Sequence, residues 1–260
     1  MTSTTPAGIA YVDLFAAAAR RFSAAIANTD LAAPVPACPT WSTYDLVVHL
    51  GNIHAWAATI VHTGSRADQP HEEPGSRAPR QVRQWYDATA ARLGEVLGDV
   101  LGDVTGSADL AEETWNFAGA PPTKVFWARR QLHETLMHLV DLDQAAHRPT
   151  RLDPDVSTDG IAEVLEVFIP RMHERGHRAC LEEPLTMRTL DTDHVWTLQP
   201  RHDAPPFVAV RTEPGADLVE GTAAGLLTLL WKRSGTEHRD VSYVGNAGRI
   251  ERFIASRLTP

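Results

Sequence analysis

Cysteine is nearly missing from this sequence: Cys38 and Cys180 are the only two in 260 residues. They stand far apart and belong to no Cys-x-x-Cys pair. That excludes a disulfide framework and an all-cysteine zinc knot. Lysine is just as scarce, since only Lys124 and Lys232 among the 24 basic residues are not arginine. A basic field is missing too. The 33 acidic residues outnumber the basic ones and give a formal net charge of −9, which argues against a nucleic-acid or anionic-membrane partner. No apolar run reaches the roughly 18–20 residues of a membrane span. Residues 1–10 lack the basic stretch and apolar run of a secretory leader. These absences lead us to expect a reducing, cytoplasmic location. What is present is a normal apolar share of 43% and a surplus of histidine, 12 in all. The chain is long enough for one large domain or two ordinary ones.

The first 150 residues read as helices. From Ile9 to Asn28 the apolar positions Phe15, Ala18, Phe22 and Ile26 recur at steps of three and four, the spacing of an amphipathic helix. The proline-rich stretch Ala32–Pro39 cannot be helical. A second helix is expected to start at Ser42, with Asp45 completing a capping box. Leu46, His49, Leu50, Ile53, Ala57 and Ile60 form its predicted buried stripe. A polar loop, Thr63–Pro79, leads to a third helix over about 81–97, with Val82, Trp85, Leu93 and Val96 inward. A long glycine- and acid-rich connection, 98–122, carries Trp115 and Phe117. The fourth helix begins near Pro122 and runs to about Ala146. Four helices joined in this way suggest a four-helix bundle. After His147-Arg148-Pro149 the character changes. A helix from Ser157 to about Arg178, kinked or ended at Pro170, precedes strand-like runs at 185–190, 194–198, 207–212 and 216–219. A helix at 222–233, a strand at 241–244 and a closing helix at 250–257 follow. The expected organisation is thus a helical domain over 1–150 and a smaller α+β domain over 151–260.

The residues that carry chemistry lie on the second and fourth helices. His133 and His138 are five apart and point about 140° away from each other, so they cannot grip one ion. Glu134 and His138 are four apart and share a face, a natural half of a metal site. His49, in the stripe of the second helix, would complete two nitrogens and a carboxylate. That set suits Zn²⁺ with an open fourth position. The plainer reading keeps His49 as a hydrogen-bonded core histidine and Glu134 with His138 as a partly exposed helix pair.

Three segments, in order, resemble one family. Cys38-Pro39-Thr40-Trp41-Ser42 followed by Asp45-Leu46-Val47-Val48-His49-Leu50-Gly51 is similar to the opening signature of the mycothiol-dependent maleylpyruvate isomerase family, within the DinB-like metal-binding four-helix-bundle superfamily. Arg130 to Asp141 is similar to its second signature, and Ala223 to Arg233 resembles its C-terminal domain, related to the sterol-carrier-protein fold. The resemblance implies an α+β protein: a DinB-like bundle followed by a sterol-carrier-protein-like domain. It implies His49, Glu134 and His138 as ligands of a divalent metal, normally zinc, and mycothiol as thiol co-substrate.

Zinc binding deprotonates a thiol that is otherwise mostly protonated at neutral pH. The expected activity is therefore attack of the thiolate on a small-molecule electrophile, with thiol transfer placed ahead of isomerisation. Two other classes stay open: a non-catalytic stress or binding protein, and a metal-dependent hydrolase of thiol conjugates. The chain is expected to be a monomer or homodimer. Asp141 is a candidate to orient a zinc-bound histidine or a solvated helix residue. Gln131 is read as packing, Cys38 as a buried small residue, and Trp41, Trp56, Trp115 and Trp127 as core or pocket wall. Arg129, Arg130, Arg201 and Arg211 are generic partners for anionic ligand groups or, individually, surface charges.

Overall fold

Phe15, Ala18, Ala19, Phe22 and Ile26 are the buried stripe of the first helix, α1 (Tyr11–Ile26), as their spacing requires. The computed structural model describes residues 10–102, 113–118, 122–209, 215–233 and 240–260. The chain divides into two compact units, Ala10–Arg151 and one that takes in Leu152–Pro260.

In the first unit the proline-rich stretch is extended. Strands β1 (Pro34–Val35) and β2 (Cys38–Ser42) form a short antiparallel ladder, a setting in which an edge proline is tolerated. Ser42 then caps α2 (Thr43–Thr63) with the capping box in full: its Oγ accepts from the Asp45 amide, and the Asp45 carboxylate accepts from the Ser42 amide at 2.9 Å. These bonds hold the Asp45 carboxyl below the usual carboxylate range. Gly64 ends the helix in the left-handed conformation, φ 68°, where glycine meets no Cβ penalty. Helices α3 (Pro79–Gly102) and α4 (Lys124–Ala145) complete the bundle. Helix α1 packs on α3 and α4, and α2 packs on the same two helices. Arg148 ties the end of α4 back to α1, donating to the Asn28 carbonyl at 2.9 Å and to Thr29 Oγ1 at 3.1 Å.

Two expected stripes need correction. On α3 the inward residues are Val82, Tyr86, Ala90, Leu93 and Leu97, whereas Trp85 and Val96 are only half-buried. Trp85 lies over α2 instead. A Cβ built on Gly51 would stand 2.2 Å from Trp85 Cζ3 and 2.5 Å from Cη2. Glycine here lets the indole cover α2 two residues beyond His49. Gly51→Ala is expected to lower the unfolding free energy by about 1–3 kcal/mol, the usual cost of overpacking. An unchanged urea midpoint would show that Trp85 moves aside freely. On α2, His54 and not His49 is fully buried, because α2 is covered on more sides than a single stripe implies.

The loop after α2 is clamped by Asn52. Its Nδ2 donates to the Glu72 carbonyl at 2.9 Å, and its Oδ1 accepts from the Glu72 amide at 2.8 Å. From 98 to 122 only part of the connection lies within the described residues; there Glu113 and Thr123 form an isolated bridge.

The second unit opens with α5 (Pro154–Glu163), whose Asp153 side chain caps the Asp155 and Val156 amides. The kink expected at Pro170 is a π-helical turn, Val164–Phe168, leading into α6 (Ile169–Glu174). A widened turn absorbs the amide that proline lacks. Strands β3 (Leu185–Thr189), β4 (Val195–Gln199), β5 (Phe207–Ala209), β6 (Asp217–Gly221) and β7 (Val241–Val244) form one sheet in the order β5-β4-β3-β6-β7. Only β3 and β6 run parallel. Helices α7 (Ala223–Leu230) and α8 (Ala247–Ala255) complete the unit, and α7 packs on α5. Leu185, Met187, Trp196, Leu198 and Val219 face the core. The fold is therefore a helical domain followed by a sheet domain. No described helix is long and apolar enough to cross a membrane.

Candidate metal centre

The capping box sets where α2 begins, and His49 follows within its second turn. Opposite it, α4 presents Glu134 and His138 one turn apart. The structure brings these three together. Glu134 Oε1 lies 3.2 Å from His138 Nε2 and 3.7 Å from His49 Nε2. The two imidazole centroids are 5.1 Å apart and nearly perpendicular. One ligand atom of each residue falls within 4.8 Å of the other two. Donors about 2.0–2.1 Å from a tetrahedral ion stand roughly 3.3 Å from one another, so the spacing and the donor types both fit a divalent cation after a small closure. Exposure falls across the set, from 29% for the His49 side chain to 19% for Glu134 and 9% for His138. The site therefore has one open side. Trp41, at the end of β2, lies against His49 with ring centroids 4.8 Å apart.

A second layer surrounds the three. His138 Nδ1 donates to Asp141 Oδ2 at 2.9 Å, and Asp141 is fully buried. The solvated alternative for Asp141 is thereby excluded. This bond leaves Nε2 as the atom that faces Glu134. Arg130 Nη2 donates to Glu134 Oε2 at 2.7 Å, with only 3% of its side chain exposed. The surface reading of Arg130 is thus corrected: the guanidinium is inside, committed to Glu134. Burial pushes the Glu134 carboxyl up, but the Arg130 charge and the bonds from His138 and His49 outweigh it and hold it well below the usual range. Burial pushes His138 down, yet its bonds to Asp141 and Glu134 prevail and raise it to about 9. Metal-free, His138 is therefore protonated at neutral pH, and a cation must displace that proton.

Beneath the site, the fully buried His54 meets Thr135 Oγ1 at 3.1 Å, while that hydroxyl donates to the Gln131 carbonyl at 2.7 Å. The hydroxyl proton is used, so His54 Nε2 must carry the hydrogen. Phe15 and Tyr86 pack on the same ring at centroid distances of 5.3 and 5.6 Å. The sequence reading gave this residue no part in the site. Its only signal is the second stripe Leu50, His54, Ala58 and Val61 on α2, all buried. His133 and Gln131 are buried in the bundle and stand apart from the ligand set.

The remaining candidates settle as follows. Trp56, Trp115, Phe117, Phe126 and Trp127 form an aromatic cluster, with Trp56 and Trp127 rings 5.2 Å apart. Both indole N–H groups are spent on backbone, Trp56 on the Ala67 carbonyl and Trp127 on that of Trp115, each at 2.8 Å. That is packing. Cys38 is half-exposed on β2 instead of buried, because the edge ladder leaves one side uncovered. Arg129 is half-buried. Arg201 is exposed and lies over Phe207 at 4.8 Å. Arg211 lies outside the described residues. His62, His71 and His202 are exposed.

The comparisons with known proteins converge on one group. No curated protein matches the chain in sequence. Solved structures do match in fold, among them two crystal structures of the mycothiol-dependent maleylpyruvate isomerase, one of them a histidine-to-alanine mutant. Each is 14% identical over 90% of this chain and 91% of its own, with TM-scores of 0.60 and, for the mutant, 0.61. The family model of the mycothiol maleylpyruvate isomerase N-terminal domain matches residues 12–143, which spans α1 to α4 and all three convergent residues. The chain belongs to the mycothiol maleylpyruvate isomerase N-terminal domain family.

Proposed function

We propose that His49, Glu134 and His138 hold a divalent cation, zinc, and that the protein uses mycothiol to act on a small electrophile of the maleylpyruvate type. The observation that carries this reading is the convergence of two imidazole nitrogens and one carboxylate oxygen, with the His49 side open. A zinc ion held there supplies a Lewis acid that converts an incoming thiol into the nucleophilic thiolate near neutral pH.

The chain's own residues prepare that chemistry. Asp141 holds the Nδ1 hydrogen of His138 and aims Nε2 at the site. Arg130 keeps Glu134 ionised and in place. Trp41 shields one flank of His49 from water. Addition of a thiolate to a conjugated double bond turns that bond into a single bond that rotates. If the carbon–sulfur bond then breaks, the double bond re-forms in the other geometry and the thiol returns unchanged. If the bond persists, the thiol has been transferred. We place isomerisation ahead of transfer, because the matched family is one of isomerases. That Cys38 and Cys180 form no disulfide fits a reducing cytoplasm.

The test is calorimetric titration of mycothiol into the zinc-loaded and the metal-free protein. Binding is expected only with zinc present. Absence of thiol binding to the zinc-loaded protein would overturn the proposal and favour a hydrolase or a non-catalytic binder. Turnover of maleylpyruvate with substoichiometric mycothiol then separates isomerisation from transfer.

A further inference from the structure

A buried arginine beside a metal ligand is an unusual choice. A guanidinium is costly to remove from water unless it is paired, and a cation placed next to a cation site lowers that site's electrostatic attraction for metal. Arg130 nonetheless sits one turn before Glu134, with 3% of its side chain exposed, and its Nη2 is 2.7 Å from Glu134 Oε2. The result is a division of labour within one carboxylate. Oε2 faces Arg130, and Oε1 faces His138 and His49 at 3.2 and 3.7 Å.

We propose that Arg130 is a positioning residue that makes Glu134 a one-oxygen ligand and so reserves a coordination position for the thiol. The inference rests on the metal reading above. A carboxylate free at both oxygens binds a cation through one or both of them; two oxygens would fill the place that the co-substrate sulfur needs. With Oε2 held by a charge-assisted bond, Glu134 cannot swing to bidentate contact without breaking that bond. The charge count points the same way. Glu134 contributes −1 and Arg130 +1, so this pair adds no net charge beside the cation.

The test uses Co²⁺ as a spectroscopic stand-in for zinc in the full-length protein, because its visible bands weaken as coordination number rises. Wild-type protein is expected to show intense four-coordinate bands and, on titration with mycothiol, a sulfur-to-cobalt charge-transfer band. Arg130→Met is expected to keep one Co²⁺ per chain, to show weaker visible bands, and to need roughly 10-fold or more mycothiol for half-saturation, the usual scale for loss of a group behind a ligand. Arg130→Lys restores the point charge but not the planar fork and is expected to fall between the two. It serves as the sole comparison if the methionine variant does not fold. Spectra and thiol titrations equal to wild type in these variants would overturn the inference and leave a purely structural ion pair. A wild-type protein that takes up no Co²⁺ would overturn the metal reading itself, and the inference with it.

Discussion

Zinc affinity is expected to fall by two to three orders of magnitude in His49→Ala while the bundle stays folded. A structural zinc site is worth about 10–16 kcal/mol shared over four ligands, so one ligand carries roughly 3 kcal/mol, about 100- to 1,000-fold in affinity. His49 is the informative position because it separates binding from folding. Its side chain is 29% exposed and rests on Trp41 at the rim. Truncation there leaves no sealed cavity, and its cost to stability should stay within about 1 kcal/mol. His138 offers no such separation, since its loss would take a hydrogen-bond partner from the buried Asp141 carboxylate. The measurement is competition for zinc against a chromophoric chelator, with circular dichroism as the fold control. Wild-type zinc affinity in His49→Ala would remove His49 from the ligand set.

The second large effect concerns acid. Desolvation pushes His54 from its ordinary value down to about 3, with the charge of Glu134 opposing and those of His138 and His49 adding slightly. The folded state thus refuses a proton that the unfolded chain accepts at about 6.5. Its stabilising contribution is fully present above pH 6.5 and is lost progressively as pH falls toward 3. Between pH 6.5 and 5 this predicts a loss of about 2 kcal/mol. His138 does not confuse that window. Its folded value is raised to about 9, so its contribution is complete below pH 6.5 and disappears only as pH climbs to 9. The depressed carboxyls of Asp45, Glu134 and Asp217 act in more acid solution, below the ordinary carboxylate value. Urea unfolding of the metal-free protein across this range is the test, with His54→Gln as comparison: glutamine retains an amide donor for Thr135 but does not titrate. If His54→Gln shows the same slope between pH 6.5 and 5 as wild type, His54 is not the group responsible.

Much of the bundle was legible in the order of residues. The step of three and four on α1, the Ser42–Asp45 capping box and the prolines before α2 each specify local structure through short-range physics. The five strands of the second unit were legible as short apolar runs, because alternation survives wherever one face is buried. The Glu134–His138 pair was visible as a four-residue step. Burial of individual polar residues was not. Arg130 and Asp141 have the spelling of surface residues, and only the folded chain shows that both lie inside, bonded to Glu134 and His138. On α2, His54 lies deeper than His49. A helix covered on several sides has no single stripe, so periodicity cannot say which histidine is innermost. Pro170 announced a break, but nothing in its neighbours announced that one widened turn would accommodate it.

The three convergent side chains come from two helices between which all of α3 is threaded. A cation joining His49 to Glu134 and His138 is thus a cross-link that closes a long loop of chain. For a covalent bridge, closing a loop of that order removes roughly 4–5 kcal/mol of denatured-state freedom, and a coordinate bond that persists on the folding timescale removes up to the same amount. In a chain whose Cys38 and Cys180 form no disulfide, a cation held by His49, Glu134 and His138 would stand where another protein keeps its disulfide.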